Sequence, residues 1–113
     1  MYGAILGDMI GAPYEFDRGN KTKDFEMFND RVCFTDDSVM TIAVADALMR
    51  ISNDADDDDV KTAVIQSMQK WGKKYPRAGY GQRFSLAGQE KPTAIRQLGE
   101  WIGNAGLIGG LVV

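Results

Sequence analysis

Apolar residues along this chain fall into three stretches that are separated by polar ones. The stretch over residues 1–16 predicts a short helix that Pro13 stops, because proline cannot continue a helix. Residues 39–49 are apolar around more than one stripe, which is typical of a mostly buried helix. A third helix is predicted from about residue 57 to residue 74. The polar, irregular residues 17–32 are expected to form a surface loop.

The third predicted helix carries charges at both ends that favour it. Aspartates occupy its first turn and lysines its last, which suits the helix dipole. One face repeats at helical spacing and comprises Val60, Ala63, Val64, Ser67, Met68 and Trp71. The aspartate run over residues 54–59 invites comparison with a calcium loop, but it lacks the alternating spacing and central glycine of an EF-hand. We therefore interpret it as a solvated helix start.

The first stretch has two unusual features. Gly3, Gly7 and Gly11 recur every four residues and form a smooth face on which another helix can lie close. Asp8 places a carboxylate within a run that is otherwise apolar. The interrupted run and the lack of a basic start argue against a signal peptide. A membrane span needs roughly 20 apolar residues, so we expect no membrane partner.

Composition and charge narrow the function classes. A chain of 113 residues forms one small domain at most. The net charge of −3 and the absence of a basic cluster argue against a nucleic-acid partner. The single cysteine, Cys33, excludes an internal disulfide and suits a reducing cytoplasm; we expect it to be a small buried residue. The chain has no histidine, which excludes a Ser-His-Asp hydrolase and most zinc sites.

The candidate chemistry lies at Thr35-Asp36-Asp37-Ser38, between Phe34 and the second apolar stretch. Thr35 can cap the helix, with its oxygen accepting a bond from an early helical N–H. The two carboxylates then fall in the first turn, where the helix dipole keeps them ionised. One interpretation is a capped helix start with solvated acids. The other is an oxygen-ligand site for a hard divalent ion, since paired carboxylates at the mouth of a buried helix are costly without a cation.

Three motifs occur in a recognisable order. The first reads Gly-Ala-Ile-Leu-Gly-Asp-Met-Ile-Gly-Ala-Pro-Tyr-Glu-Phe from Gly3, and the second reads Phe-Thr-Asp-Asp-Ser-Val-Met-Thr from Phe34. A weaker third motif is Trp71 followed by residues 75–81. Over residues 1 to about 91 the chain resembles the ADP-ribosylglycohydrolase family, which includes the dinitrogenase reductase-activating glycohydrolases. The resemblance implies an all-α fold around two divalent metals, usually Mg²⁺, that hydrolyse the glycosidic bond joining ADP-ribose to a side chain or small acceptor.

The resemblance also implies site residues by position. The implied metal ligands are Thr35, Asp36 and Asp37. The implied substrate-side loop contains Gly79, Tyr80 and Gly81. Glu15 is implied as the acidic residue near the substrate, and it can accept a proton from the attacking water. Mg²⁺ and Mn²⁺ both accept such oxygen ligands. The expected partner is an ADP-ribosylated protein or a small ADP-ribose conjugate.

The resemblance breaks after about residue 92. Family members are much longer; they continue into a Tyr-Asn-Ser-x-Gly-Asn-Gly-x-x-Met-Arg segment and carry a second Asp-x-Asp-Thr metal motif, and this chain contains neither. With suitable codons for residues 95–106, a frame one nucleotide later reads Tyr-Asp-Ser-Leu-Gly-Asn-Gly-Ser-Ala-Met-Arg; the glycine arising from Trp101 and Ile102 is forced. We interpret residues 1–92 as the amino-terminal part of the helical domain and residues 93–113 as a frameshifted tail. The alternative to an active hydrolase is then an inactive truncated remnant, or a fragment that only binds ADP-ribose or a partner.

Overall fold

The computed structural model describes residues 1–16, 19 and 22–80, so Gly81 and the interpreted tail lie outside the described residues. The α-helices are α1 (Tyr2–Gly11), α2 (Asp36–Arg50) and α3 (Asp57–Lys74), and one turn of 3₁₀-helix (Ala12–Tyr14) follows α1. This part of the chain contains no strand, which confirms the expected all-α fold. None of its helices is both long and apolar enough to cross a bilayer.

α2 and α3 pack against each other and hold the core. The buried apolar side chains are Val39, Met40, Ala43 and Ala47 from α2, and Val64 and Met68 from α3. The Ser67 hydroxyl lies in the same interface and donates a hydrogen bond of 2.6 Å to the Ala43 carbonyl. The second stretch is nevertheless buried along one stripe only, because Leu48 and Met49 at its end are 47% and 77% exposed.

α3 forms where its end charges predicted it. Asp56 caps the helix, and its carboxylate accepts hydrogen bonds from the Asp58 and Asp59 N–H groups at 3.0 and 2.9 Å. The aspartates that follow the cap are exposed, which confirms a solvated helix start. The predicted bounds of 57 and 74 are also confirmed. A cap at one end and lysines at the other satisfy the helix termini locally.

α1 lies against the start of α2 and contributes nothing fully buried. It ends at Gly11, and Pro13 lies in the 3₁₀ turn, so the predicted stop is confirmed. The expected close packing on the glycine face is not found in the described part. No described atom outside the helix backbone lies within 4 Å of a Cβ built at Gly3, Gly7 or Gly11.

The described residues between α1 and α2 form irregular surface structure. Tyr14 anchors this segment: its hydroxyl donates to the Glu26 carbonyl at 2.9 Å and accepts from the Asn29 amide at 3.1 Å. Cys33 lies near the end of the segment and is exposed. The expectation of a buried cysteine is therefore wrong, because apolar character alone does not bury a residue in a surface loop.

Candidate metal and substrate site at the start of the second helix

Thr35 caps α2 as predicted. Its backbone is extended, and its hydroxyl oxygen accepts a hydrogen bond from the Asp37 N–H at 3.3 Å. Asp36 and Asp37 follow in the first turn, where the helix dipole favours negative charge. The residue before the cap contacts the end of α3: the Phe34 ring packs edge-on against the ring of Tyr75, which caps α3, with ring centroids 5.5 Å apart. Local sequence thus sets the helix start, and an aromatic contact ties it to α3.

Asp8 of α1 binds the same helix start from a second direction. Its Oδ2 accepts hydrogen bonds from the Thr35 N–H at 2.7 Å, the Ser38 N–H at 3.2 Å and the Ser38 hydroxyl at 2.6 Å. Its Oδ1 accepts a short hydrogen bond from the Thr35 hydroxyl. One carboxylate therefore satisfies two backbone N–H groups that lack a partner within α2.

Sequence reasoning missed this role of Asp8, although two signals for it were present. Asp8 is a lone charge in an apolar run, and hydroxyl residues occupy both the cap and the third position of α2. Partial burial, the largest single influence, raises the pKa of Asp8, but the hydrogen bonds from Ser38 and Thr35 together outweigh it. The net pKa of Asp8 lies below its usual value. Asp8 is accordingly ionised at neutral pH.

The predicted substrate loop lies beside Asp36. The Asp36 N–H donates a hydrogen bond of 2.8 Å to the Ala78 carbonyl. Gly79 has φ +100°, and a Cβ placed there would stand 3.7 Å from Asp36 Oδ1. Tyr80 follows, and burial together with the Asp36 charge raises the pKa of its hydroxyl. The described part of the loop therefore lies near Asp36, whose N–H binds the Ala78 carbonyl and whose charge acts on the Tyr80 hydroxyl.

Three other carboxylates act on Asp36. Burial is the largest cause of a raised pKa at Asp36, and the charge of Asp37 is the next. The charges of Glu15 and Asp8 raise this pKa further. Glu15 itself is exposed and directly follows the 3₁₀ turn. The structure therefore brings Glu15, from the end of the first segment, to the same side of the molecule as the first turn of α2.

The donor set at this point suits a hydrated divalent ion. The Thr35 hydroxyl donates a hydrogen bond to Asp8 and accepts one from the Asp37 N–H, and a hydroxyl oxygen has a second lone pair for a ligand. In the described part of the chain, no three His, Cys, Asp or Glu side chains are gathered closely enough to hold a metal by themselves. Mg²⁺ usually keeps several waters and takes only one or two carboxylates. Thr35, Asp36 and Asp37 fit that requirement.

Comparison with known proteins adds one positive finding. The family model described as ADP-ribosylglycohydrolase matches residues 1–110. This range extends beyond residue 92, and the division of the chain at that point stays a prediction. No curated protein and no solved structure matches the chain. Because the family model spans nearly all of its 113 residues, the chain belongs to the ADP-ribosylglycohydrolase family.

Proposed function

We propose that this protein is a Mg²⁺-dependent hydrolase of the glycosidic bond between ADP-ribose and a side chain or small acceptor. Its family acts on ADP-ribosylated substrates and generally depends on a metal. The observation that carries the proposal is the geometry at the start of α2, where Thr35 caps the helix, Asp36 and Asp37 occupy its first turn, and the Asp36 N–H binds the Ala78 carbonyl of the loop after α3; burial, together with the charges of Asp37, Glu15 and Asp8, raises the pKa of Asp36. Acids that repel one another are stabilised by a cation placed among them.

Thr35, Asp36 and Asp37 are the proposed ligands of the metal. Among the described residues, no lysine or arginine forms an ion pair with these carboxylates, whereas Asp46 further along α2 pairs with both Arg50 and Lys70. Divalent ions held by these residues would activate a nucleophilic water and help to position the ribose hydroxyls. Mn²⁺ can replace Mg²⁺ at such a ligand set.

Glu15 is the proposed general base. It is exposed, and its charge acts on Asp36, so Glu15 is proposed to lie near a substrate bound against the first turn of α2. Glu15 would take a proton from water as the water oxygen bonds to the anomeric carbon of the ribose. The bond to the acceptor breaks, and the proton that Glu15 took from water passes to the leaving acceptor, which regenerates the Glu15 carboxylate. A positioned base of this kind contributes about 10²–10⁴-fold to a rate.

Gly79, Tyr80 and Gly81 are proposed to contact the ADP-ribose. The positive φ of Gly79 turns the loop toward the start of α2, and the Tyr80 hydroxyl is shielded from solvent close to Asp36. The proposed partner is an ADP-ribosylated protein or a small ADP-ribose conjugate. A free, exposed Cys33 suits a reducing compartment, and we propose a cytoplasmic location.

The test is release of free ADP-ribose from an ADP-ribosylated arginine substrate by the full chain with added Mg²⁺. We expect release by the wild type, none by Asp36→Asn, and a fall of about 10²–10⁴-fold in kcat for Glu15→Gln. Asp57→Asn is the matched control, because Asp57 is an exposed acid in the first turn of α3. Equal release by Asp36→Asn and the wild type would refute the proposal.

A second candidate is binding of ADP-ribose without hydrolysis. It is favoured by the finding that no three metal-binding side chains are gathered within the described residues. Stabilisation by ADP-ribose in a melting experiment, with no release from the substrate, would support binding alone. Release that depends on Glu15 would exclude it.

A further inference from the structure

We propose that Asp8 is a positioning residue for the metal site, acting through the hydroxyl of Thr35. The inference rests on the proposed function, because it assumes that Thr35 is a ligand. Asp8 stands on α1, whereas Thr35 caps α2. Asp8 accepts a hydrogen bond from the Thr35 hydroxyl and so orients the remaining lone pair of that oxygen toward the cation.

The Asp8 carboxylate is engaged mainly by the start of α2. A carboxylate offers about four lone-pair sites. Two N–H groups and two hydroxyl groups, from Thr35 and Ser38, donate to Asp8. All four donors belong to Thr35 and Ser38 at the start of α2, so Asp8 holds the helix start on which the proposed ligands lie. Residues that hydrogen-bond to metal ligands in this way fix the orientation of the ligands in other metal sites.

The Thr35 hydroxyl is fixed on two sides. It donates to Asp8 Oδ1 and accepts from the Asp37 N–H. With its proton and one lone pair committed, only one direction is left for a further bond. A hydroxyl that gave its proton elsewhere could rotate and present hydrogen to a cation. Asp8 prevents this because its ionised form can only accept.

Replacement of Asp8 by asparagine tests this argument with almost no change of shape. Three donors converge on Oδ2 of Asp8, so the amide oxygen must take that position. The amide NH₂ group then falls on the Thr35 hydroxyl and donates to it. That donation occupies the lone pair reserved for the cation. Asp8→Asn therefore reverses the polarity of one hydrogen bond while the other three persist.

The experiment is a titration of the full chain with Mn²⁺, followed by water-proton relaxation, which reads metal binding without turnover. We expect Asp8→Asn to weaken Mn²⁺ binding about 10–100-fold, which is the usual effect of replacing a residue that hydrogen-bonds to a metal ligand. Thr35→Val should weaken it as well, and adding Asp8→Asn to Thr35→Val should cause little further loss. Thr35→Ser, which keeps the hydroxyl, should bind close to the wild-type level.

Controls separate this inference from the proposed function. Ser38→Ala removes one donor to Asp8 but leaves Thr35 held, and Asp57→Asn changes an acid far along the chain; both should bind Mn²⁺ nearly as the wild type does. Unchanged binding by Asp8→Asn, with binding lost in Asp36→Asn, overturns the role of Asp8 alone. Additive losses for Asp8 and Thr35 overturn it too. Absent binding by the wild type, or full binding by Asp36→Asn, overturns the proposed function itself.

Circular dichroism shows whether Asp8→Asn binds Mn²⁺ weakly only because it has unfolded. Asp8→Asn should retain the helix content of the wild type without metal. If that variant unfolds, Asp8→Glu, which keeps the charge but moves the carboxylate, replaces it in the titration: weaker Mn²⁺ binding supports the inference, and wild-type binding overturns it, while Thr35→Val and Thr35→Ser test the premise that the hydroxyl is a ligand. Weak binding by both Thr35 variants overturns it, because the hydroxyl would then not be what the site requires.

Discussion

α2 contacts both of its neighbouring helices through an aspartate, Asp46 of α2 on the side of α3 and Asp8 of α1 on the other side, and the two contacts differ. Toward α3, Asp46 accepts from the Trp71 indole N–H at 3.0 Å and lies beside a continuous apolar core. Toward α1, Asp8 receives four hydrogen bonds, yet no residue of α1 is fully buried. The α2–α3 interface is therefore built for stability. The α1–α2 junction is built by polar bonds that shape the start of α2.

The charges near the two ends of α2 differ in the same way, because the neighbours of Asp46 are cations and those of Asp36 are acids. Arg50 and Lys70 lie 2.8 and 3.5 Å from the Asp46 carboxylate. The Trp71 hydrogen bond, with help from these cations, lowers the pKa of Asp46. At the other end, burial and neighbouring acids raise the pKa of Asp36. One helix thus carries an acid whose charge is balanced and another whose charge is not, and the second is where a cation is expected.

The largest test of this comparison is truncation on each side of α2. Met68→Ala should lower the free energy of unfolding by about 2–5 kcal/mol, because Met68 is fully buried. Met9→Ala is the matched change in α1, where Met9 is half-buried, and should cost clearly less. Chemical denaturation measures both. Equal losses would show that α1 is as much a part of the core as α3.

Substitution of two glycines by alanine should give smaller effects on stability, one destabilising and the other stabilising. Gly79→Ala should lower the free energy of unfolding by about 1–2 kcal/mol, since its φ of +100° is strained for any residue with a Cβ. The space around it is ordinary, so the backbone is the cause. Gly7→Ala should raise stability by about 0.5–1 kcal/mol, because helical Gly7 has no described atom near its Cβ. Destabilisation by Gly7→Ala would mean that something covers the glycine face.

Removal of the α1 contact should act locally. Asp8→Ala is expected to lower stability by about 1 kcal/mol, the usual cost of losing a helix cap. Hydrogen exchange should rise in α1 and in the first turn of α2, while α3 stays protected. Uniform loss of protection across all three helices would contradict a separable junction.

The smallest effect concerns pH at the α2–α3 interface. The folded-state pKa of Asp46 is lowered, so its stabilisation is present above the unfolded value of about 3.9 and is lost as the pH falls through the folded value. Asp46→Asn should melt lower than the wild type at neutral pH. The two melting temperatures should converge as the solution is acidified below pH 4. A constant difference across that range would mean that the Asp46 charge contributes nothing.

Features that depend on neighbours in sequence were predictable. The bounds of α3 follow from Asp56 and the terminal lysines, and Thr35 was identified as the cap of α2. Both rest on hydrogen bonds within a few residues. Burial of Cys33 was predicted wrongly, and close packing on the glycine face is not found among the described residues; each of these features needs a partner from a distant segment.

By itself, the sequence determined three helices, a capped pair of acids at the start of α2 and a family likeness, since periodicity, caps and motifs are local properties. Only the tertiary structure decided that Asp8 would hold Thr35, that Glu15 would act on Asp36, and that the Ala78 carbonyl would accept a hydrogen bond from the Asp36 N–H. Those relations join residues far apart in the chain. They exist because packing brings α1 and the end of α3 to the same helix terminus, whose unpaired N–H groups attract carboxylates and carbonyls.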